Sequence, residues 1–185
     1  MSETDVLDSR ATTPTMVVVC GLPGVGKTTV AEDVAERVDG RLLRTDVVRK
    51  DLFPDPEYTD EESQRVYAEL FERTRETIRN GKNVVLDGTF REAENRERAV
   101  DLSESLDAGF RLVKVECAES VVRERIRRRE NDASDADFDV YTMYRDGFDP
   151  ISADHVVVDN SDGIEETTQQ VAEQFSRSPS SSERP

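Results

Sequence analysis

Lysine is scarce in this sequence. It occupies only positions 27, 50, 82 and 114 of the 185 residues, and arginine supplies the rest of the 25 Lys and Arg. Against these stand 41 Asp and Glu, for a net charge of −16 and a pI near 4.5. A surface of that sign repels nucleic acid unless a local basic site overrides it. Acid excess with little lysine is also what a salt-rich cytosol favours, because carboxylates stay hydrated there and salt screens their repulsion. The composition therefore points to a halophilic organism. Cysteine is limited to Cys20 and Cys117, each closing a predicted strand. With no metal-ligand spacing, both are expected to be small buried apolar side chains. No apolar run approaches the roughly 20 residues needed to cross a bilayer. The opening MSETDVLDSRATTPT is acidic and lacks the apolar segment of a secretory signal. A cytoplasmic protein without a membrane partner is expected. No internal repeat is visible, and the length suits one domain with a sizeable core.

Polar, Ser- and Pro-containing ends mark residues 1–14 and 177–185 as expected disordered tails around a domain at 15–176. Inside it, strand-like and helix-like segments alternate. TMVVVC (15–20) is a continuous apolar run, the mark of a strand buried on both faces. Further strands are expected at 41–45, 83–87, 110–117 and 155–159. Helices are expected at 27–38, 60–80, 92–108, 118–130 and 163–175, the second with Val66, Leu70, Thr74 and Ile78 on one stripe. Such alternation predicts an α/β fold with a five-stranded parallel sheet covered on both faces, binding its ligands beyond the carboxyl ends of the strands.

The residues after the first strand read Gly21-Leu22-Pro23-Gly24-Val25-Gly26-Lys27-Thr28, followed by Thr29, and fit the phosphate-loop pattern G-x-x-x-x-G-K-[ST] in full. The chemistry explains the residue types. Glycines let backbone N–H groups turn inward around phosphate oxygens. The helix that follows adds the positive end of its dipole. Lys27 neutralises the β- and γ-phosphates, and Thr28 offers a hydroxyl to Mg²⁺. ATP with Mg²⁺ is the expected ligand, held by residues 21–29.

Each later strand also ends in candidates. Asp46 follows the second strand, facing the phosphate loop, where a carboxylate can take the proton of an attacking hydroxyl. Arg49, three residues on, can hold an anionic substrate or the transferring phosphoryl group. Asp87 ends the third strand and is expected to reach Mg²⁺ through its waters. Gly88 and Thr89 allow close approach of substrate, and Arg91 and Arg96 are candidates for the acceptor pocket. Five arginines fall between positions 123 and 129. Arg125 and Arg129, four apart on one helix face, and the polar stretch after them are similar to a lid over ATP, about residues 125–147, whose arginines stabilise charge on the transferred group.

Three uses of a phosphate loop compete. A GTP switch needs an N-K-x-D motif; the last strand is followed instead by DNSDG (159–163). A ring-forming motor needs a second helical domain. A transferase needs a compact sheet, a base near the loop and a lid that excludes water, and candidates for all three are present. The segments VVVCGLPGVGKTT, RTDVVRKDL, VVLDGTFRE with Arg96, VRERIRRRE and SDADFDVY together resemble the AAA-domain P-loop kinases of the zeta-toxin and polynucleotide-kinase type, with gluconate kinase, chloramphenicol phosphotransferase and adenylylsulfate kinase as similar relatives. The resemblance spans about residues 15–176. It implies a three-layer P-loop NTPase fold with strand order 2-3-1-4-5 and a small helical lid. It also implies Asp46 as general base, Arg49 as substrate holder, and Arg125 and Arg129 as lid arginines. The expected function is transfer of the γ-phosphoryl group of ATP to a hydroxyl of a small molecule or a nucleotide or polynucleotide end. The acidic surface disfavours nucleic acid as acceptor. Lys27, Asp46 and Arg129 are the expected catalytic residues. An ATP-binding regulatory module and a partner-stimulated NTPase are the alternatives.

Overall fold

The structure, a computed structural model, describes residues 12–129 and 135–176. Residues 1–11 of the expected 1–14 tail, the expected tail at 177–185 and the 130–134 stretch of the expected lid lie outside the described residues.

Five parallel strands form one sheet: β1 (Thr15–Cys20), β2 (Gly40–Arg44), β3 (Asn83–Asp87), β4 (Gly109–Glu116) and β5 (Val156–Asp159), in the order β2-β3-β1-β4-β5. Among the described residues, seven helices connect or flank them: α1 (Lys27–Val38), α2 (Thr45–Leu52), α3 (Asp60–Arg79), α4 (Ala93–Ser105), α5 (Glu119–Arg129), α6 (Asp135–Asp146) and α7 (Ile164–Gln174). The layering follows from β1. It sits at the sheet centre and must bury side chains on both faces. Met16, Val18 and Cys20 point into one core with Leu70, Phe71 and Leu102 from α3 and α4, while Val17 and Val19 point into the other with Val30, Val34 and Val171 from α1 and α7. β3 alternates in the same way, Val84 and Leu86 to one side and Val85 to the other.

The central register fixes the site. Val19 of β1 stands beside Asp87 of β3, and Arg44 of β2 beside the same Asp87. The carboxyl ends of the three strands therefore bring Cys20, Arg44 and Asp87 to one edge, where the phosphate loop begins. The expected strand at 41–45 gives way early: Thr45 and Asp46 already belong to α2, so Asp46 sits in a first helical turn. Among the described residues, no helix is long and apolar enough to cross a membrane.

Candidate active site

The phosphate loop joins β1 to α1. Gly26 is the N-cap of α1 at φ 88°, a left-handed backbone with no side-chain cap, so the first-turn N–H groups stay available to an anion. A Cβ at Gly26 would lie 2.2 Å from Asn160 Nδ2, and one at Gly21 would lie 2.5 Å from the Val115 carbonyl oxygen. Glycine is required at both positions by space as well as by φ.

The loop is buttressed from beneath. Asn160, just past β5 and 6% exposed, donates from Nδ2 to the Val25 carbonyl at 2.8 Å and accepts at Oδ1 from Thr167 Oγ1 at 2.7 Å. Its own carbonyl accepts from Arg125 Nη2 at 2.7 Å, and its N–H donates to Glu116 O at 2.8 Å. Arg125 also reaches Cys117 Sγ at 3.5 Å and the Val25 carbonyl at 3.4 Å. Arg125 thus holds the underside of the phosphate loop. Arg129, one turn further along α5, is exposed, and its charge helps to depress the Lys27 pKa.

Lys27 is half-buried and donates from Nζ to the Leu22 carbonyl at 2.8 Å. Burial pushes its pKa down to about 8, with the Asp87 carboxylate opposing part of that shift. Thr28 Oγ1 donates to Asp87 Oδ2 at 2.8 Å. Asp87 is 5% exposed; burial raises its pKa, while the Thr28 hydroxyl, Lys27 and Arg44 pull it back. One hydroxyl and one carboxylate at the mouth of a phosphate loop suit Mg²⁺, which takes few protein oxygens and completes its octahedron with phosphate and water.

Arg44 is a residue of this site that sequence reasoning missed. Its guanidinium donates to Asp46 Oδ2 at 3.0 Å and to Thr28 Oγ1 at 3.3 Å, and its Nε lies 3.4 Å from Asp87 Oδ2. The only signal in the sequence is an arginine two residues before Asp46, at a position where a strand end meets the phosphate loop. Asp46 is exposed; its Oδ1 also accepts from the Val47 N–H at 2.9 Å.

Beside Asp46 opens a cavity of about 200 Å³. Asp46, Arg49, Lys50, Thr89 and Arg91 line it, together with Tyr58, Tyr67 and Tyr144. The start of α3 holds Arg49. Thr59 caps the helix through the Glu62 N–H, and the Glu62 carboxylate reaches back to the N–H groups of Glu57 and Tyr58. These bonds, with Arg49 beside it, hold Glu62 below the usual carboxylate range. Glu62 accepts from Arg49 at 3.1 Å, Ser63 accepts from Arg49 at 3.1 Å, and the Arg49 guanidinium lies over the Tyr58 ring at 5.0 Å. On the other wall Arg91 lies over Tyr144 at 4.9 Å. Two bulky residues adopt left-handed backbone: Tyr58 in the cavity wall at φ 57°, 70% exposed, and Phe90 between the wall residues Thr89 and Arg91 at φ 43°, fully buried. The Phe90 N–H donates to Tyr67 Oη at 3.0 Å, which fixes the turn presenting Thr89. Strained backbone of this kind collects at ligand sites.

Arg96 stands apart from this cavity. It is 6% exposed and donates to the carbonyls of Phe90, Arg91, Asp149 and Pro150 at 2.6–3.0 Å, tying the turn after β3 to the segment after α6. The structure therefore brings together Lys27, Thr28, Asp46, Arg49, Asp87, Thr89 and Arg91, and leaves Arg96 and Arg125 in supporting positions.

Comparison with known proteins gives the same architecture. A family model described as an AAA domain matches residues 16–151. Uncharacterized proteins of Mycobacterium tuberculosis (strain H37Rv) and Mycobacterium bovis are each 30% identical over 135 residues, covering 65% of this chain and 27% of theirs. The chain thus spans about a quarter of the length of the curated relatives it matches. Among solved structures, a gluconokinase from Sinorhizobium meliloti 1021 aligns with TM-score 0.64 at 22% identity, covering 88% of this chain and 94% of that one. A sugar kinase from Janibacter sp. HTCC2649 aligns with TM-score 0.67 at 18% identity, covering 88% and 96%. The Mycobacterium tuberculosis APS kinase in complex with AMPPNP and APS aligns with TM-score 0.69 at 17% identity, covering 87% and 96%. At these identities the likeness is one of fold.

Proposed function

The chain belongs to the AAA-domain family, and from that premise we propose that it is an ATP-dependent phosphotransferase acting on a small, anionic, hydroxyl-bearing acceptor. The observation that carries this reading is the adjacency of two compartments: the phosphate loop, and a cavity of about 200 Å³ whose shared wall is Asp46. A nucleotide-binding module without an acceptor has no use for the second compartment.

In the proposed reaction the acceptor lies in that cavity with its anionic group towards Arg49, Lys50 and Arg91. Its hydroxyl faces Asp46. The hydroxyl oxygen forms a bond to the γ-phosphorus of ATP as the bond from that phosphorus to the β–γ bridging oxygen breaks. The hydroxyl proton passes to the Asp46 carboxylate, and ADP leaves with the bridging oxygen. The loop N–H groups, Lys27 and Arg129 stabilise charge on the transferring group. Magnesium, held from Thr28 and Asp87, would neutralise phosphate charge. The cavity is small for a nucleic-acid strand, and its lining sets Arg49, Lys50 and Arg91 against Asp46 and Glu92 in a chain of net charge −16; both facts favour a small anion.

The test is transfer of labelled γ-phosphate from ATP in concentrated KCl. The acceptors are a 5′-hydroxyl oligonucleotide and separate pools of neutral sugars and nucleosides, sugar acids and sugar phosphates. Label in an anionic pool is expected. Label on the oligonucleotide alone would overturn the acceptor class, and label on nothing would overturn the kinase reading. Asp46→Asn should lower transfer by about 10²-fold or more while leaving ATP affinity within about twofold. Equal loss of both would remove Asp46 from the role of base.

A further inference from the structure

Arg44 touches three groups that have separate tasks in the proposed reaction. Nη2 donates to Asp46 Oδ2 at 3.0 Å and to Thr28 Oγ1 at 3.3 Å. Nε is buried, makes no hydrogen bond, and lies 3.4 Å from Asp87 Oδ2. The buried Asp87 carboxylate needs a cation beside it, and Arg44 and Lys27 are the cations that act on it. The Thr28 hydroxyl already donates its hydrogen bond to Asp87. What remains on Thr28 is its lone pairs, and an arginine N–H and a divalent cation compete for them. Two cations within hydrogen-bond distance of the same oxygens repel strongly in a partly desolvated site.

We propose that Arg44 is a positioning residue that exchanges partners: it holds Thr28 and Asp87 in the nucleotide-free protein, yields that corner to the divalent cation arriving with the nucleotide, and keeps Asp46 throughout. The role given to Asp46 rests on the kinase reading above. Geometry sets the order of release. The contact to Asp46 is the shortest of the three, whereas those to Thr28 and Asp87 are long, and the latter is no hydrogen bond at all. After the exchange the guanidinium remains as the fixed support of an otherwise exposed carboxylate, whose side chain is 54% accessible. Removing Arg44 then has two opposite effects. The metal corner loses its competitor and binds a divalent cation more tightly, while Asp46 loses its orientation and phosphoryl transfer slows. An arginine that merely stabilised the fold would weaken both together.

The full-length protein carries the experiment, as wild type and as Arg44→Met, Arg44→Gln and Arg44→Lys. Mn²⁺ affinity is read by electron paramagnetic resonance in the presence of the β,γ-imido analogue of ATP. Basal ATP hydrolysis, in which water is the acceptor, is read in parallel. Arg44→Met and Arg44→Gln are expected to tighten Mn²⁺ binding by about fivefold and to slow hydrolysis by about tenfold or more. Arg44→Lys is expected to restore most of the rate and to weaken Mn²⁺ again. Unchanged or weaker Mn²⁺ binding in the folded Met or Gln variant overturns the exchange, even if the rate falls. The kinase reading fails separately, by wild-type protein that hydrolyses ATP yet labels no acceptor, and the Mn²⁺ comparison still decides the part played by Arg44.

Discussion

Cys20 shows how the position of a single residue sets its chemistry. It closes β1 between the core and the phosphate loop, fully buried. Burial pushes its thiol up to about 11, against the smaller pull of Arg96, Lys114 and Lys27. The folded protein therefore keeps a proton on Cys20 through a range in which the unfolded chain has lost it. The contribution is complete below pH 9, where both states are protonated, and is lost as pH rises through about 11. It amounts to roughly 2 kcal/mol of stability. Urea titrations at pH 8 and pH 10.5 should show a loss of stability that is smaller in Cys20→Ala by about that amount. Equal losses in both proteins would mean that the thiol ionises in place. The reading of Cys20 as a small buried side chain needed only the apolar run before it. The reading of Arg44 needed the third dimension, because nothing along the chain says that residue 44 faces residues 28 and 87.

Elements carry the same lesson. The phosphate loop and the parallel alternation were legible because each depends on local pattern: Val-Val-Val before Cys20, glycines at fixed offsets, apolar stripes on α3; the strand order came only with the family resemblance. The short α2 is absent from the helices expected from sequence. Its eight residues contain a single buried side chain, Val48, too few to show a period. Arg96 and Arg125 read as site cations because arginine advertises charge. The structure spends both on backbone carbonyls, which no residue pattern announces. In the sequence the segment after β5 stands out only for lacking a guanine-reading motif, yet Asn160 in it ties together β4, α5, α7 and the phosphate loop. Replacing it with alanine leaves the Val25 carbonyl only the long contact from Arg125 at 3.4 Å and leaves the Thr167 hydroxyl only the Gly163 carbonyl. Asn160→Ala should cost about 1–2 kcal/mol and lower Tm by about 2–8 °C. The KM for ATP should rise more than kcat falls, because the loop is loosened while Asp46 is untouched. A calorimetric scan with a KM and kcat comparison checks this; a fall in kcat alone would place Asn160 in the chemistry instead.

At the scale of the whole molecule the acid excess is a problem of spacing. Arginines on the surface are largely committed to neighbouring carboxylates. Arg73 pairs with Asp51 and Glu69, Arg128 with Glu124, and Arg145 with Glu119 and Asp146. Such exposed pairs each add little, but they neutralise the available cations locally and leave the surplus carboxylates to repel one another across the surface. That repulsion acts over the Debye length, about 8 Å at physiological ionic strength and about 3 Å at 1 M salt. Concentrated salt should therefore stabilise this chain through screening of its acid excess. We expect Tm to rise by about 5 °C or more between 0.1 M and 2 M KCl, equivalent to at least 1–2 kcal/mol for a chain of this size. Chloride is the informative anion, because sulfate strengthens apolar burial in any protein. Most of the gain should come below about 1 M, where screening is completed. A Tm that is flat or falling with KCl would mean that the acidic residues are spaced widely enough to ignore one another. The surplus charge would then have to be explained by what the surface meets, not by the medium in which it folds.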